Sequence, residues 1–480
     1  MDIKKSFKPQ GDHNPIMTQR FGADPFAMVY KDRVYMYMTC DILTYDDAGK
    51  LTDNTYQKID TISVASSSDL VNWTDHGEVY AAGKNGIATW GGNSWAPAAC
   101  WKNINGKDKF FLYFANSGNG IAVLTSDSPT GPFIDPIGGP LVSRNTPNCD
   151  SVTWLFDPAV LVDDDGTGWL YIGGGIPSDD KASNPGTARV VRLGDDMISL
   201  AEDPRPIENV AYLFEDSGIN KINGKYYYSY CSNFNVTPEA EKEHGFSSGE
   251  IVTMVSDKPD GPFKPASPVL KNPEVFFGRG GNNHHCMFEF KGKWYIAYHS
   301  RILEEYMDLT GGYRSTNVDL IAQSADGAPT HSTGTRKGVE QVCGFDPYKL
   351  TSASTFASMA GVKTFAYDPE KPLTDMKLSA GNMIVRSEES GNWVMVSGAD
   401  FGSDGASAFT LSARGKGFGE VSVVLDDVNG EAAAVFGTSE LTDDFEEFTV
   451  DIASKITGVH DIYLVFSGEC LELENWKFEK

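Results

Sequence analysis

The chain has 480 residues, more than one ordinary domain holds unless it is a large repeat fold, so two domains are the first expectation. Aromatic residues make up 12% of it, with 49 glycines and 24 prolines, which suits many short strands and tight turns better than long helices. A net charge of −26 and a pI near 4.6 repel nucleic acid and anionic membrane, so neither is expected as a partner.

The first residues, "MDIKKSFKPQGDHNP", contain no apolar segment of the secretory type, and no run of about eighteen apolar residues occurs anywhere. The seven cysteines are scattered, with no CxxC pair and no zinc spacing, which reads as free thiols in a reducing compartment. A cytoplasmic location is the expectation.

The first predicted element is the apolar run "ADPFAMVY" (23–30), in which Asp24 stands before Pro25 at the mouth of a strand. A turn signal and an aromatic strand follow, "KDRVYMYMT" (31–39). The same phrase returns as "KDKFFLYFA" (107–115), "GTGWLYIGG" (166–174), "NGKYYYSYC" (223–231) and "KGKWYIAYH" (291–299). Several copies are preceded by an apolar strand: "DPAVLVD", "EDSGINKI", "HHCMFEF". Strand, tight turn, strand is a hairpin, and five hairpins at long regular intervals predict a β-propeller of five blades. "SSSDLVNWT" (66–74), "TSDSPTGPF" (125–133) and "VSDKPDGPF" (255–263) read as outer-strand turns.

In a propeller the innermost strand of each blade starts at one mouth of the central channel. Asp24 and Asp157, each before a proline at matching blade positions, are therefore expected at the axis. The competing reading of each is a turn residue that caps its own backbone. Glu215, flanked by Leu213 and Phe214, is read as the corresponding head-of-strand residue of the fourth blade. A glutamate among apolar neighbours has a raised pKa, as a general acid requires, while an aspartate near polar backbone can stay ionised as a base. Such a pair set apart for a water is the machinery of an inverting glycosidase. A salt bridge between Glu215 and a nearby lysine is the alternative.

After "YRSTNVDLIAQSADGAP" (313–329) the texture changes. The predicted organisation is an all-β chain: a five-bladed β-propeller over 1–330, a linker or closing segment over 331–348, and a jelly-roll-like β-sandwich over 349–480. The sandwich strands include "GNMIVRS" (381–387), "NWVMVSG", "SAFTLSAR", "GEVSVVLDD" and "HDIYLVFSG".

The motifs "ADPFAMVY", "NSWAPAACW", "SDSPTGPF", "WLFDPAVLVDDDG", "FEDSGINKINGKYYYSY" and "NNHHCMFEFKGKWYIAYHS" together resemble glycoside hydrolase family 43, the five-bladed propeller glycosidases, over residues 14 to 325. The resemblance implies that Asp24 is the general base, Glu215 the general acid, and Asp157 the third acid that sets the general acid's orientation and pKa. It implies that His284, with His285 beside it, stands near the axis and approaches a central cation, often calcium, largely through waters. A backbone-bonded core histidine is the other reading. Phe26, Trp95 and Trp154, with Trp90 behind them, are candidates to stack on a sugar or simply to pack in the core. Arg314 resembles an arginine that reaches substrate hydroxyls in related arabinofuranosidases, and an ion pair is its alternative. No cofactor is implied for the chemistry, and a calcium at the axis would be structural.

Within the family, "WGGNSWAP" and "GGYRSTNVD" resemble enzymes that remove arabinofuranose from arabinoxylan, so arabinoxylan-derived oligosaccharides are the expected substrate. A β-xylosidase or a mixed activity is the close rival, because the two sugars differ by only a few kcal/mol in a small pocket. A non-catalytic glycan-binding propeller is the reading from another class. The C-terminal region resembles carbohydrate-binding module family 6, with two departures. Ser352, Ala353 and Ser354 replace the Glu-Ala-Glu of that family's structural calcium site, and Glu472 replaces its sugar-contacting asparagine. Trp393 and Trp476 are equally core or ligand platform, and the domain is expected to pack on the propeller and shape its entrance.

Overall fold

A computed structural model describes residues 2–367, 383–468 and 470–480. Gly381 and Asn382, read from sequence as the start of a sandwich strand, lie outside the described residues. The described chain is almost entirely strand, and none of its helices is long and apolar enough to cross a membrane.

Five antiparallel sheets follow one another along the chain. The first joins β1 (Ala23–Tyr30), β2 (Arg33–Thr39), β3 (Ile62–Ser67) and β4 (Trp73–Val79). The second joins β5 (Trp95–Ile104), β6 (Lys107–Ala115), β7 (Gly120–Ser126) and β8 (Val142–Ser143). β9 (Ala159–Val162), β10 (Gly168–Ile172), β11 (Arg189–Arg192) and β12 (Arg205–Pro206) form the third. β13 (Leu213–Ile222), β14 (Lys225–Ser232), β15 (Ile251–Ser256) and β16 (Lys264–Leu270) form the fourth. The fifth has β17 (His285–Phe290), β18 (Lys293–Ser300) and β19 (Ser315–Leu320). The five aromatic phrases are the second strands, β2, β6, β10, β14 and β18.

Turn chemistry sets these registers. Asn105-Gly106, Asn223-Gly224 and Lys291-Gly292 each connect two strands with both residues at positive φ, between 49° and 82°. That is the two-residue hairpin turn whose twist matches the strands it joins. The first strands of the sheets then pack side by side in order, β1 on β5, β5 on β9, β9 on β13, β13 on β17, and β17 returns to β1. Asn14 secures that return. Its side-chain amide donates to the carbonyls of Val318 and Thr335, and its oxygen accepts from the Val318 N–H at 2.8 Å.

Four first strands share a backbone irregularity near their heads. Asp24, Ala96, Asp157 and Asp216 have φ of 45°, 43°, 49° and 70°, and pairing to the next strand skips at Asp24, Ala96 and Asp216. Non-glycine residues rarely adopt this conformation, and aspartate does so more readily than most. The matching member of the fourth sheet is therefore Asp216, one residue beyond the Glu215 assigned from sequence.

The C-terminal region is two facing sheets around an apolar core that includes Trp476, Phe409, Phe466 and Phe478. Trp476 is fully buried, so it is core and no ligand platform. Trp393 donates its indole N–H to the Lys4 carbonyl, beneath the N-terminal segment. The two regions are stitched together. Strand Thr355–Phe356 pairs with β4 as a fifth strand of the first sheet, and Ser354 exchanges hydrogen bonds with the Asp75 backbone. Glu472 sits between Arg386 and Arg414, and aromatic rings stack on both guanidinium groups, Phe365 on one and Tyr367 with Phe445 on the other.

Candidate active site

The heads of β1, β9 and β13 and the start of β17 bring Asp24, Asp157, Glu215, Asp216 and His284 into one buried cluster. Positive φ at three of these residues turns carboxylates away from the regular strand direction and toward the axis. An outlier of this kind, repeated at one end of one ring of strands, marks a site.

Asp24 is the best-supported anion of the cluster. Its Oδ1 accepts from Arg314 Nη1 at 2.9 Å and lies 3.1 Å from His299 Nδ1. His299 is itself oriented by a bond from Nε2 to the Asn282 carbonyl at 2.9 Å. Burial opposes ionisation of Asp24, but Arg314, the His299 bond and the two nearby imidazoles outweigh it and hold the carboxyl well below the usual carboxylate range.

Glu215 has the opposite environment. It is buried, and its Oε1 has no hydrogen-bond partner among the described residues. Burial first, then the charges of Asp157, Asp24 and Asp216, push its pKa well above the usual range, with Arg314 opposing weakly. Asp157 is pushed up too, by burial and by Asp24, but its Oδ2 accepts the Asp216 N–H at 2.9 Å, which favours the charged form. Of these two coupled carboxyls, the proton belongs on Glu215. The Asp157 bond also pins the backbone beside Glu215, so Asp157 touches both the position and the protonation of its neighbour.

His284 lies 3.7 Å from Asp24, 3.8 Å from Asp157 and, through Nε2, 3.1 Å from Asp216 Oδ1. Burial lowers its pKa against the pull of Asp216 and Asp24. His285 donates its backbone N–H to Asp216 Oδ2, pairs its Nδ1 with the same oxygen and reaches Ser229 through Nε2. The residues around His284 do not fit a protein-held calcium. Calcium takes six to eight oxygens, and among the described residues no group of three or more His, Cys, Asp or Glu side chains is set to hold a metal. Asp216 Oδ1 is the carboxylate oxygen nearest His284.

The other predicted residues divide. Arg314 does not project into open space. It takes Asp41 with Nε and Nη2, gives Nη1 to Asp24, and lies 4.7 Å over the Tyr56 ring. The ion pair expected as its alternative is present, and through it Arg314 holds Asp24. Trp154 is 36% exposed and meets Phe214 edge-on at 5.2 Å, and Phe214 meets the half-exposed Phe234 at 5.4 Å. These three rings form a ledge beside Glu215. Trp95 is anchored to the Tyr56 carbonyl at 3.0 Å and packs on the second-sheet core. Trp90 packs in the core between the first two sheets and donates to Asp135. Phe26 lines a cavity of about 690 Å³ along the first strands and packs against three separate cores.

Sequence reasoning missed Asp216, Asp41 and His299. Asp216 had a signal, because E-D-S aligns on A-D-P and F-D-P through the second residue of each. Asp41 lies just past the end of β2 and His299 one residue before the end of β18, and neither carries a local mark.

The sequence profile of glycosyl hydrolases family 43 matches residues 13–329, and that of carbohydrate binding module family 6 matches residues 352–480. The chain belongs to glycosyl hydrolase family 43. An arabinoxylan arabinofuranohydrolase of Paenibacillus polymyxa is 46% identical over 98% of this chain and 75% of its own length. One from Bacillus subtilis strain 168 is 42% identical over 98% of this chain and 92% of its own. The crystal structure of a family 43 arabinoxylan arabinofuranohydrolase from Bacillus subtilis, in complex with cellotetraose, superposes with a TM-score of 0.93 at 42% identity, covering 99% of both chains. As a family 43 member the chain is a glycoside hydrolase with a carbohydrate substrate.

Proposed function

We propose that this family 43 enzyme is an inverting arabinofuranohydrolase that removes α-L-arabinofuranose side chains from arabinoxylan or its oligosaccharides. The observation that carries the reading is the opposed environment of two buried carboxyls in one cluster, Asp24 held ionised and Glu215 held protonated. Asp24 takes a proton from water as the water oxygen bonds to the arabinose anomeric carbon. The glycosidic C–O bond breaks on the opposite face, and Glu215 gives its proton to the departing xylose oxygen. Asp157 keeps Glu215 protonated by like charge and pins its backbone. His299 and Arg314 fix Asp24. The Trp154–Phe214–Phe234 ledge offers faces on which sugar rings of the chain can stack.

The five sheets are the blades of a propeller, a reading supported by the packing of each first strand on the next and of β17 on β1. Residues 1–330 make that propeller, 331–348 close it, and 349–480 form the sandwich. The shared likeness to two arabinoxylan arabinofuranohydrolases along almost the whole chain favours arabinose over xylose release.

Hydrolysis of an arabinosylated xylo-oligosaccharide, followed from the first turnovers by proton NMR, tests the reading. Free arabinose should appear first with inverted anomeric configuration, while the xylose chain keeps its length. Release of xylose, or arabinose of retained configuration, contradicts it.

A further inference from the structure

Arg301 directly follows the end of β18, two residues after the His299 that touches Asp24. Its guanidinium lies where three segments meet. A Cβ built on Gly281 would come within 2.7 Å of its Nη2, and one on Gly312 within 3.2 Å. Gly281 precedes Asn282, whose carbonyl holds His299, and Gly312 precedes the Tyr313-Arg314 pair whose arginine holds Asp24. Both of these segments, and the end of β18 itself, therefore also carry a residue that builds the base. Both glycines have positive φ, 150° and 85°, and no side chain there competes with the guanidinium for space.

The neighbouring arginines are committed: Arg314 to Asp24 and Asp41, Arg279 to Glu304, Arg336 to Glu305. Arg301 differs. Among the described residues its guanidinium has no hydrogen bond and no ion pair. That is unusual in a chain with 66 acidic and 40 basic residues. It is partly exposed, and the Tyr56 hydroxyl feels its charge together with those of Arg314, Asp41 and Asp24. An uncommitted cation thus stands at the rim of the acid pocket, on the Tyr56 side. A guanidinium offers five N–H donors in a planar fork and loses water more easily than an ammonium, which suits two adjacent sugar hydroxyls.

We propose that Arg301 is a specificity-determining residue that hydrogen-bonds vicinal hydroxyls of the xylose chain at the rim, a role that rests on the arabinofuranohydrolase reading. Because the chain stays bound before and during bond cleavage, the contact acts on binding rather than on the chemical step.

The test compares wild type, Arg301→Ala and Arg301→Lys on two substrates: an arabinosylated xylo-oligosaccharide and nitrophenyl α-L-arabinofuranoside, which lacks the xylose chain. Arg301→Ala should raise KM for the oligosaccharide about ten- to hundredfold with kcat nearly unchanged, and leave the nitrophenyl substrate unaffected. Arg301→Lys should recover part of the loss, because one point donor replaces a fork. An unchanged oligosaccharide KM overturns the proposal. Equal losses on both substrates also overturn it, and assign Arg301 to holding the Asp24 side of the pocket. A wild type that releases xylose instead of arabinose overturns the underlying reading, and is told apart because it appears before any substitution is made.

Discussion

Asp24 and Glu215 are both buried carboxyls in one cluster, and their neighbours decide their opposite states. Asp24 has an arginine and two imidazoles within reach; Glu215 has three carboxylates near it and an oxygen with no hydrogen-bond partner among the described residues. The sign of the pH dependence follows. As pH falls, Asp24 stays ionised well below the usual range, so activity persists into acid. As pH rises through the elevated pKa of Glu215, the acid loses its proton and the rate falls. Asp157→Asn removes a negative charge beside Glu215 while keeping an oxygen for the Asp216 N–H. The alkaline limb of kcat/KM should therefore move to lower pH, and a pH–rate profile of that variant checks it. An unmoved limb would mean that burial, with the charges of Asp24 and Asp216, sets Glu215 without Asp157. Asp24 and Asp157 were legible because each carries its own local phrase. Asp41 and His299 were hidden because their roles depend on which strands lie side by side; Asp216 carried the aspartate phrase and was passed over for the glutamate beside it.

At the scale of the element, the hairpins were the clearest part of the sequence. Asn-Gly and Lys-Gly between aromatic runs specify a turn with few alternatives. The bulged strand heads were harder, since nothing in "NSWAP" announces that Ala96 shares the backbone of Asp24. Two further elements make predictions. Gly174 approaches the strand that carries the acid: a Cβ there would lie 2.4 Å from the Phe214 carbonyl oxygen and 3.3 Å from Glu215 Cα. Gly174→Ala should shift Glu215 and lower kcat by about a hundredfold on a natural oligosaccharide, as a displacement near 1 Å can do. Steady-state kinetics beside a melting curve separates this from unfolding. Asn14 ties the segment before β1 to β19, and Asn14→Ala leaves buried partners unsatisfied. It should lower unfolding stability by about 1–3 kcal/mol in a denaturant titration.

Across the whole molecule, the second region was legible as a sandwich, because short alternating strands with turns between them leave little choice. Its attachment was not. Thr355–Phe356 completing the first sheet, and Ser354 bonded to Asp75, are long-range pairings that no local pattern encodes. Ser354, read from sequence at a calcium-site position of the module family that the region resembles, serves the joint. Glu472, read from sequence at that family's sugar-contacting position, neutralises Arg386 and Arg414. Glu472→Ala would leave two guanidinium groups facing one another. Their partial exposure places the expected loss below the roughly 3–5 kcal/mol of a fully buried pair. Differential scanning calorimetry should show the sandwich destabilised, while arabinose release at ordinary temperature stays intact.

The central claim is that Glu215 supplies the proton to the leaving oxygen, and the most direct measurement is leaving-group dependence. Initial rates of wild type and Glu215→Gln should be compared on an arabinosylated xylo-oligosaccharide and on nitrophenyl α-L-arabinofuranoside. A xylose hydroxyl needs a proton to leave, whereas nitrophenolate leaves without much help. The variant should therefore lose about a hundredfold to ten-thousandfold on the oligosaccharide, and far less on the nitrophenyl substrate. Equal losses on both substrates, or full activity on the oligosaccharide, would contradict the assignment of Glu215 as the acid.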